Sequence, residues 1–434
     1  MEYDPYDTVL FDGNPKVQDT ELPYDTQLQQ ISEDDTNQIQ EKFDSQYDSN
    51  ETAVRALDSI LQFGMSLNLV RVRGCSPQFA MYALSVFGSG NSESPIASGC
   101  LTKETPCTHP IAIKILPRYN VHSDSDPGWV EVSYLKRANE ELVSAKHTPH
   151  VAAYLASFEC QGSILEHADL FFQSPMDKAV FMHMLQSMMK NDVGDTTIFV
   201  LLAERASHQS LTQVAKTVHR DYWVEYFRMI IFQVVWTIAC FQQKFPGFRH
   251  NDIWSSNVLI ADTPSTSALY RVSKEEQYML IPGDSLPSNL SNHTARLWDF
   301  EYACSRDQQN DKVDGERNAM INNGNPYYDV HFFLNHLYSL LLKYSDNQIP
   351  SDLDAFFKRV IPRKFMGCGA NKSNPSASTF VRNYRLTLES QDLARAEGLK
   401  TPMEILRDDF FRKYRQTRKP NLSSTDIYTL PQTQ

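Results

Sequence analysis

The segment that most constrains this chain is His250-Asn251-Asp252-Ile253-Trp254-Ser255-Ser256-Asn257, followed at once by the aliphatics Val258, Leu259 and Ile260. It comes after residues 222–243, a run that is strongly apolar at helical spacing and predicts a core helix. Arg228 and Gln233 interrupt that run, so it is too short and too polar to expect as a bilayer span. The eight-residue segment itself has little regular period and predicts a loop between that helix and a strand. An Asp and an Asn five positions apart in such a loop form a pair that phosphoryl transfer uses. Asp252 accepts the proton of an attacking hydroxyl, and the amide oxygen of Asn257 holds a Mg²⁺ ion. Such chemistry asks for positioning and charge neutralisation more than for covalent work.

Two further segments fit the same chemistry. In Leu297-Trp298-Asp299-Phe300-Glu301 an Asp ends a short β run, placed to hold a metal ion bridging nucleotide phosphates. In Ile111-Ala112-Ile113-Lys114 a Lys lies in a buried strand, within reach of α- and β-phosphates. Lys114 requires an acidic partner, and Glu140 or Glu141 on the helix expected over 130–145 is the expected source.

Each piece alone is common by chance, and the order carries the weight. Lys114, the Glu pair, a strand ending in Ala203-Glu204, the apolar helix, Asp252/Asn257 and Asp299 follow one another as in a protein kinase. Over about residues 65–345 the chain resembles the divergent serine/threonine kinases of large DNA viruses, the poxvirus virion kinase type among them, with some likeness to haspin. Phe248-Arg249-His250-Asn251-Asp252 resembles the viral catalytic loop, and Asn325-Pro326-Tyr327-Tyr328-Asp329 resembles the start of a large C-lobe helix. The resemblance implies an α+β, bilobal kinase fold that binds ATP with Mg²⁺ or Mn²⁺. It implies that Asp252 is the catalytic base, that Asn257 and Asp299 are metal ligands, and that Lys114 anchors ATP while paired with Glu140. It implies a hinge at Glu204 to Ala206 that meets adenine through its backbone, with Ala203 gating the back of the pocket. Asp329 would brace the catalytic loop. Protein substrates, viral or host, and a site of action in the host cytoplasm or virion go with it.

The departures from that family pattern are specific. There is no GxGxxG, and the best candidate phosphate loop, residues 73–80, has the single glycine Gly74. Asn251 stands where an Arg usually precedes the catalytic Asp, so no phosphate-operated switch of the activation loop is expected. Trp254 stands where a Lys usually contacts the transferred phosphate, and Glu301 replaces the Gly after Asp-Phe. Only 30 positions separate Asp299 from Asp329, and no Ala-Pro-Glu intervenes. The 47 positions from Asp252 to Asp299 leave room for a hairpin insert, as in the viral and haspin types. Two other readings stay open: a pseudokinase scaffold, and a small-molecule kinase of the aminoglycoside or choline type.

Charge and composition delimit the rest. Residues 1–51 hold 14 acidic and 2 basic residues out of 53 and 41 in all, which leaves 39 of each and a neutral remainder. A general attraction to nucleic acid is therefore not expected. Residues 1–50 carry few aliphatics and are expected to form a disordered acidic tail. An N-lobe over 51–204, a C-lobe over 205–415 and a flexible tail over 416–434 follow. The seven cysteines contain no CxxC, and the first residues show neither a basic region nor an apolar run, so reduced thiols inside a cell are expected. His147 and His150 are expected to be ordinary loop histidines, and Cys100, Cys107 and His109 free side chains rather than a zinc site.

Overall fold

A computed structural model describes residues 85–86, 96–100, 110–120, 122–161, 197–262, 267–280, 286–313, 325–346, 348–366, 381–382, 385–386, 391–415 and 425–432. The acidic segment 1–50, the helices expected over 51–67 and 176–189, and Gly74 lie outside these residues.

The first half is built on an antiparallel sheet. Strands β1 (Ser85–Val86), β2 (Ile96–Cys100), β3 (Pro110–Pro117), β4 (Tyr154–Gln161) and β5 (Thr197–Glu204) run in the order β1-β2-β3-β5-β4. The β-branched Ile111, Ile113 and Ile115 of β3 are buried, as are Lys114 and Leu116 of the same strand, which is what an inner strand covered on both faces requires. Its register sets Lys114 opposite Leu201 and Ala112 opposite Ala203.

Helix α1 (Pro127–Ala138) crosses this sheet. Its start is written in Asp126-Pro127-Gly128. The Asp126 carboxylate accepts from the N–H groups of Gly128 and Trp129, and Pro127 fills the first turn, where no donor is needed. Gly128 is required because a Cβ there would lie 2.7 Å from the carbonyl oxygen of Pro117. The helix therefore begins three residues before the expected 130. A single π-helical turn, Asn139–Val143, ends it.

Beyond β5 the chain is mainly helical. Helix α2 (Leu211–Thr217) leads to α3 (Trp223–Lys244), whose aromatic and aliphatic side chains are buried on almost every face. α3 is long and apolar enough to cross a membrane by length and composition, but it is the core element of this half. Strands β6 (Val258–Asp262), β7 (Ser267–Arg271) and β8 (Gln277–Leu280), the turn α4 (Ser288–Ser291) and strand β9 (His293–Leu297) follow. β6 pairs with β9, and the β7–β8 hairpin is the expected insert. Phe232 of α3 anchors that insert through ring contacts with Tyr270 at 5.1 Å and Tyr278 at 5.4 Å. Helices α5 (Tyr328–Tyr344) and α6 (Ser351–Val360), the short pair β10 (Val381–Arg382) and β11 (Arg385–Leu386), and helices α7 (Gln391–Ala396) and α8 (Pro402–Leu406) complete the half.

Two expectations near the C-terminus are corrected. The capping box of Thr401 and Glu404 forms, but its helix stops at Leu406 instead of running to about Lys413. Asp408 accepts from the N–H of Phe410 and opens a separate 3₁₀ turn, Asp409–Tyr414. The flexible tail over 416–434 holds a strand, β12 (Thr425–Thr429), parallel to β7 in a three-stranded sheet. Tyr428 packs on Tyr270 at 5.4 Å, so an apolar face supplies the order that composition did not suggest.

Several histidines are sealed in this core. His150 lies between the hydroxyls of Thr294 (3.0 Å) and Tyr270 (2.7 Å), the ordinary structural role expected of it. Burial lowers the pKa of His331 to about 3 and that of His336 to about 4. An unfolded chain protonates both rings below the usual 6.5, whereas the folded chain resists. Their contribution is thus complete above that pH and is lost as pH falls through 6.5 toward 4. We expect His331→Leu to flatten the acid limb of stability by about 1.4 kcal/mol per pH unit in this window, relative to wild type. Denaturant unfolding of both proteins from about pH 7.5 to about pH 4.5 checks this, and parallel curves would refute it.

Candidate active site

The site is assembled around Lys114, which is fully buried. Its Nζ donates to both oxygens of Glu131 at 2.7 and 2.9 Å and to Oδ1 of Asp299 at 2.7 Å. A buried ammonium needs such pairing, because its desolvation is otherwise prohibitive. Burial works against the charge of Lys114, but Asp299, Glu131 and Glu301 outweigh it and raise its pKa. Burial pushes Glu131 upward, with Lys114 opposing and Asp299 and Glu301 adding to the rise. Asp299 is also desolvated, yet Lys114 holds it below the usual aspartate value.

Glu131 is therefore the partner of Lys114, in place of the expected Glu140 or Glu141. The reason is helical phase. Residues 131 and 140 are nine apart, about two and a half turns at 3.6 residues per turn, so they face opposite ways. Glu140 instead meets Lys136 at 3.5 Å, and Glu141 meets Arg137 and Lys244. The signal that could have found Glu131 is Asp126-Pro127, which starts the helix early enough to aim its second turn at Lys114.

The second component is the loop after α3. Asp329, fully buried at the start of α5, accepts from the backbone N–H of His250 (2.7 Å) and of Asn251 (2.9 Å), as the resemblance implied. Asn251 has a φ of 65°, in the left-handed region that asparagine tolerates better than most residues. Its Nδ2 donates to the carbonyl of Tyr302 at 2.8 Å. The imidazole Nε2 of His250 pairs with the carbonyl of Trp298 at 3.1 Å. Two neighbouring residues of the loop, His250 and Asn251, are thus tied to α5 and to the chain around Asp299.

Asp252 and Asn257 come together within this loop. Asn257 Nδ2 donates to the carbonyl of Asp252 (2.8 Å) and to its Oδ2 (3.1 Å). Trp254 Nε1 donates to Oδ1 of Asp252 at 2.7 Å. The indole packs edge-on against Phe332 and His336, so it is a held donor. Sequence reasoning registered Trp254 only as a missing lysine and did not see this contact. Ladder register joins the two components: Val258 lies opposite Leu297, and the N–H of Trp298 donates to the carbonyl of Asn257 at 3.1 Å. Asp299 therefore directly follows the residue paired with Asn257. Asp299 has a φ of 68° and Phe300 inserts between Tyr134 and Phe241. The Glu301 carboxylate is taken up by Lys312 at 2.5 Å.

Helix α1 is fastened to the chain that follows Phe300. Tyr134 Oη donates to Ser305 Oγ at 2.5 Å, and Arg137 meets Asp307 at 2.8 Å. Of the expected hinge, Glu204 donates its N–H to the carbonyl of Ala153 at 2.8 Å, and its carboxylate meets Arg296 at 3.3 Å. Ala206 lies in the linker beyond β5, and Ala203 is buried in the sheet. Lys114 thus meets Asp299 directly, Asn257 meets Asp252 within the loop, Glu204 ends β5 with Ala206 in the linker beyond it, and Glu140 stands apart.

Comparison with known proteins finds viral serine/threonine kinase relatives. The sequence model of the poxvirus serine/threonine protein kinase family matches residues 170–385, a span that holds Asp252, Asn257, Asp299 and Asp329. The chain is also 26% identical over 314 residues to a protein of Acanthamoeba polyphaga mimivirus that is named as a serine/threonine-protein kinase. That alignment covers 68% of this chain and 61% of the relative, so this chain spans less than two thirds of the length of that relative. The chain is thus similar to divergent viral serine/threonine kinases, as its sequence motifs implied.

Exchange of the two glutamates distinguishes their positions. Glu131→Ala leaves Lys114 with one carboxylate fewer in a buried place and should cost about 3 kcal/mol of stability. Glu140→Ala removes only a partly exposed pair and should change stability by less than about 0.5 kcal/mol. Urea unfolding of both variants checks the assignment, and equal losses would refute it.

Proposed function

We propose that this chain is a protein kinase of two lobes meeting near residues 204 and 205, and that it transfers the γ-phosphate of ATP to serine or threonine hydroxyls of proteins. The observation that carries the reading is the bridge from Lys114 to both Glu131 and Asp299, together with a loop that holds Asp252 and Asn257 and is braced by Asp329 at the N–H groups of His250 and Asn251. The oxygen donors Asp299 and Asn257 suit a hard divalent cation, Mg²⁺ or Mn²⁺, which when bound would neutralise charge on the nucleotide phosphates. The remaining steps belong to the side chains. Lys114 supplies positive charge to the nucleotide phosphates, and the backbone of Glu204 to Ala206 faces adenine. Asp252 takes the proton of the acceptor hydroxyl as its oxygen bonds to phosphorus and the bond to ADP breaks. Hydrogen bonds from Trp254 and Asn257 fix which way that carboxylate points. Asn251 binds the Tyr302 carbonyl where a kinase arginine would await a phosphate, which favours a site assembled without activation-loop phosphorylation. Proteins of the virus or its host, met in the host cytoplasm or the virion, are the substrates that go with this reading.

Incubation with γ-labelled ATP and Mg²⁺ or Mn²⁺, with casein or a basic protein as acceptor, tests it. Label on serine or threonine should appear with wild type and disappear with Asp252→Asn and Asp299→Asn. Absence of label together with retained nucleotide binding would favour a pseudokinase scaffold, and transfer only to small hydroxylated molecules would favour the aminoglycoside-type alternative. Trp254→Phe keeps the ring and removes the donor to a charged acceptor. It should lower kcat about 10-fold with little change in the KM for ATP; unchanged kcat would show that the indole does not position Asp252.

A further inference from the structure

A second cluster of donor groups uses none of the residues around Lys114 or Asp252. His208 belongs to the linker after β5, Asp262 ends β6, and His293 begins β9. One ligand atom from each lies within 4.8 Å of the others. We propose that His208, Asp262 and His293 form a binding site for a divalent transition-metal ion of the Zn²⁺ type at the root of the β7–β8 insert.

Backbone pairing builds the cluster. Asp262 and His293 are direct partners in the antiparallel β6–β9 ladder, which puts their side chains on the same face. His208 is brought to them by two backbone tethers. Its N–H donates to the carbonyl of Ile260 at 2.9 Å, and the neighbouring Ser207 hydroxyl accepts from the N–H of Asp262 at 3.0 Å.

His293 separates this cluster from an ordinary surface ion pair. His208 Nε2 meets Asp262 Oδ1 at 2.9 Å, with side chains 37% and 54% exposed, and that contact alone needs no metal. His293 is only 6% exposed, and its Nε2 is buried without a hydrogen-bond partner. Its Nδ1 pairs with the Tyr226 hydroxyl at 3.0 Å. If Nδ1 carries the proton, the Nε2 lone pair faces the cluster. That is the arrangement in which an outer partner orients a metal-binding imidazole. A buried acceptor with no partner is uncommon, and a cation would satisfy it.

The donor set names the ligand class. Two imidazoles and one carboxylate suit Zn²⁺ and its transition-metal neighbours, not Mg²⁺ or Ca²⁺. In a tetrahedral site neighbouring ligand atoms lie about 3.3 Å apart, so the His208–Asp262 contact has to widen by only a few tenths of an ångström. The exposed sides of His208 and Asp262 leave an entry path and a fourth position for water. An ion there would pin the linker after β5 to the two strands that lead to Asn257 and Asp299. The proposal does not depend on the kinase reading, because its ligands are separate from the cleft carboxylates.

The test is calorimetric titration of Zn²⁺ into the full, chelator-treated chain, with Co²⁺ absorption as a second measurement. Wild type should take up Zn²⁺ at a tight site that excess Mg²⁺ does not displace. His208→Ala and Asp262→Asn, both at partly exposed positions, should each weaken it by about 10-fold or more, since even loss of an outer partner costs about that. Asp299→Asn should leave it intact. The Co²⁺ spectrum should show nitrogen and oxygen ligation without a thiolate band. Undiminished uptake by both His208→Ala and Asp262→Asn, loss of uptake in Asp299→Asn, a thiolate band, or no tight Zn²⁺ binding by wild type would each overturn the proposal.

Discussion

The structure depends on one buried ammonium. Lys114 is held by Glu131 from α1 and by Asp299 from the end of β9, so a single charge ties the sheet, the helix across it and the second half of the chain. Neither carboxylate reaches Lys114 unless the helix starts at Pro127 and β9 is in register with β6. Such a bridge makes a doubtful contribution to net stability, because desolvation offsets most of the Coulombic gain. Its value lies in geometry. The placement of the three elements satisfies the charge, and the Trp298 N–H beside Asp299 meets the Asn257 carbonyl.

The catalytic-loop candidate is fixed by a different means. Asp329 accepts two consecutive backbone N–H groups, and His250 and Asn251 reach across to the Trp298 and Tyr302 carbonyls. The loop is irregular, so it has no ladder of its own to satisfy its polar groups. Buried side chains from α5 and from the loop itself take that part. The positive φ values at Asn251 and Asp299 are maintained by these surroundings.

The departures from the common kinase pattern are accommodated by specific contacts. Asn251 makes directly the link to the chain after Asp299, through the Tyr302 carbonyl and Cys304 Sγ. Trp254 directs an N–H at Asp252 while its ring packs against α5. Glu301 is neutralised by Lys312. Each replacement is coupled to a neighbour, and together they describe a site held by packing and hydrogen bonds among its own residues.

Local pattern in the sequence determined a good deal. Helical spacing marked α3 and α5, short apolar runs marked β3 and β5, and the ordered appearance of Lys114, Asp252, Asn257 and Asp299 marked the candidate site. These signals act over a few residues, where side-chain periodicity and backbone chemistry dominate. The partner of Lys114 was decided by tertiary structure, because the choice between Glu131 and Glu140 is a choice of helix face relative to a sheet. The order of β12 was decided in the same way, since a short polar segment becomes a strand only when β7 and Tyr270 are there to receive it. The gathering of His208, Asp262 and His293 needed strand register across the long insert, and no local pattern carries register between segments so far apart.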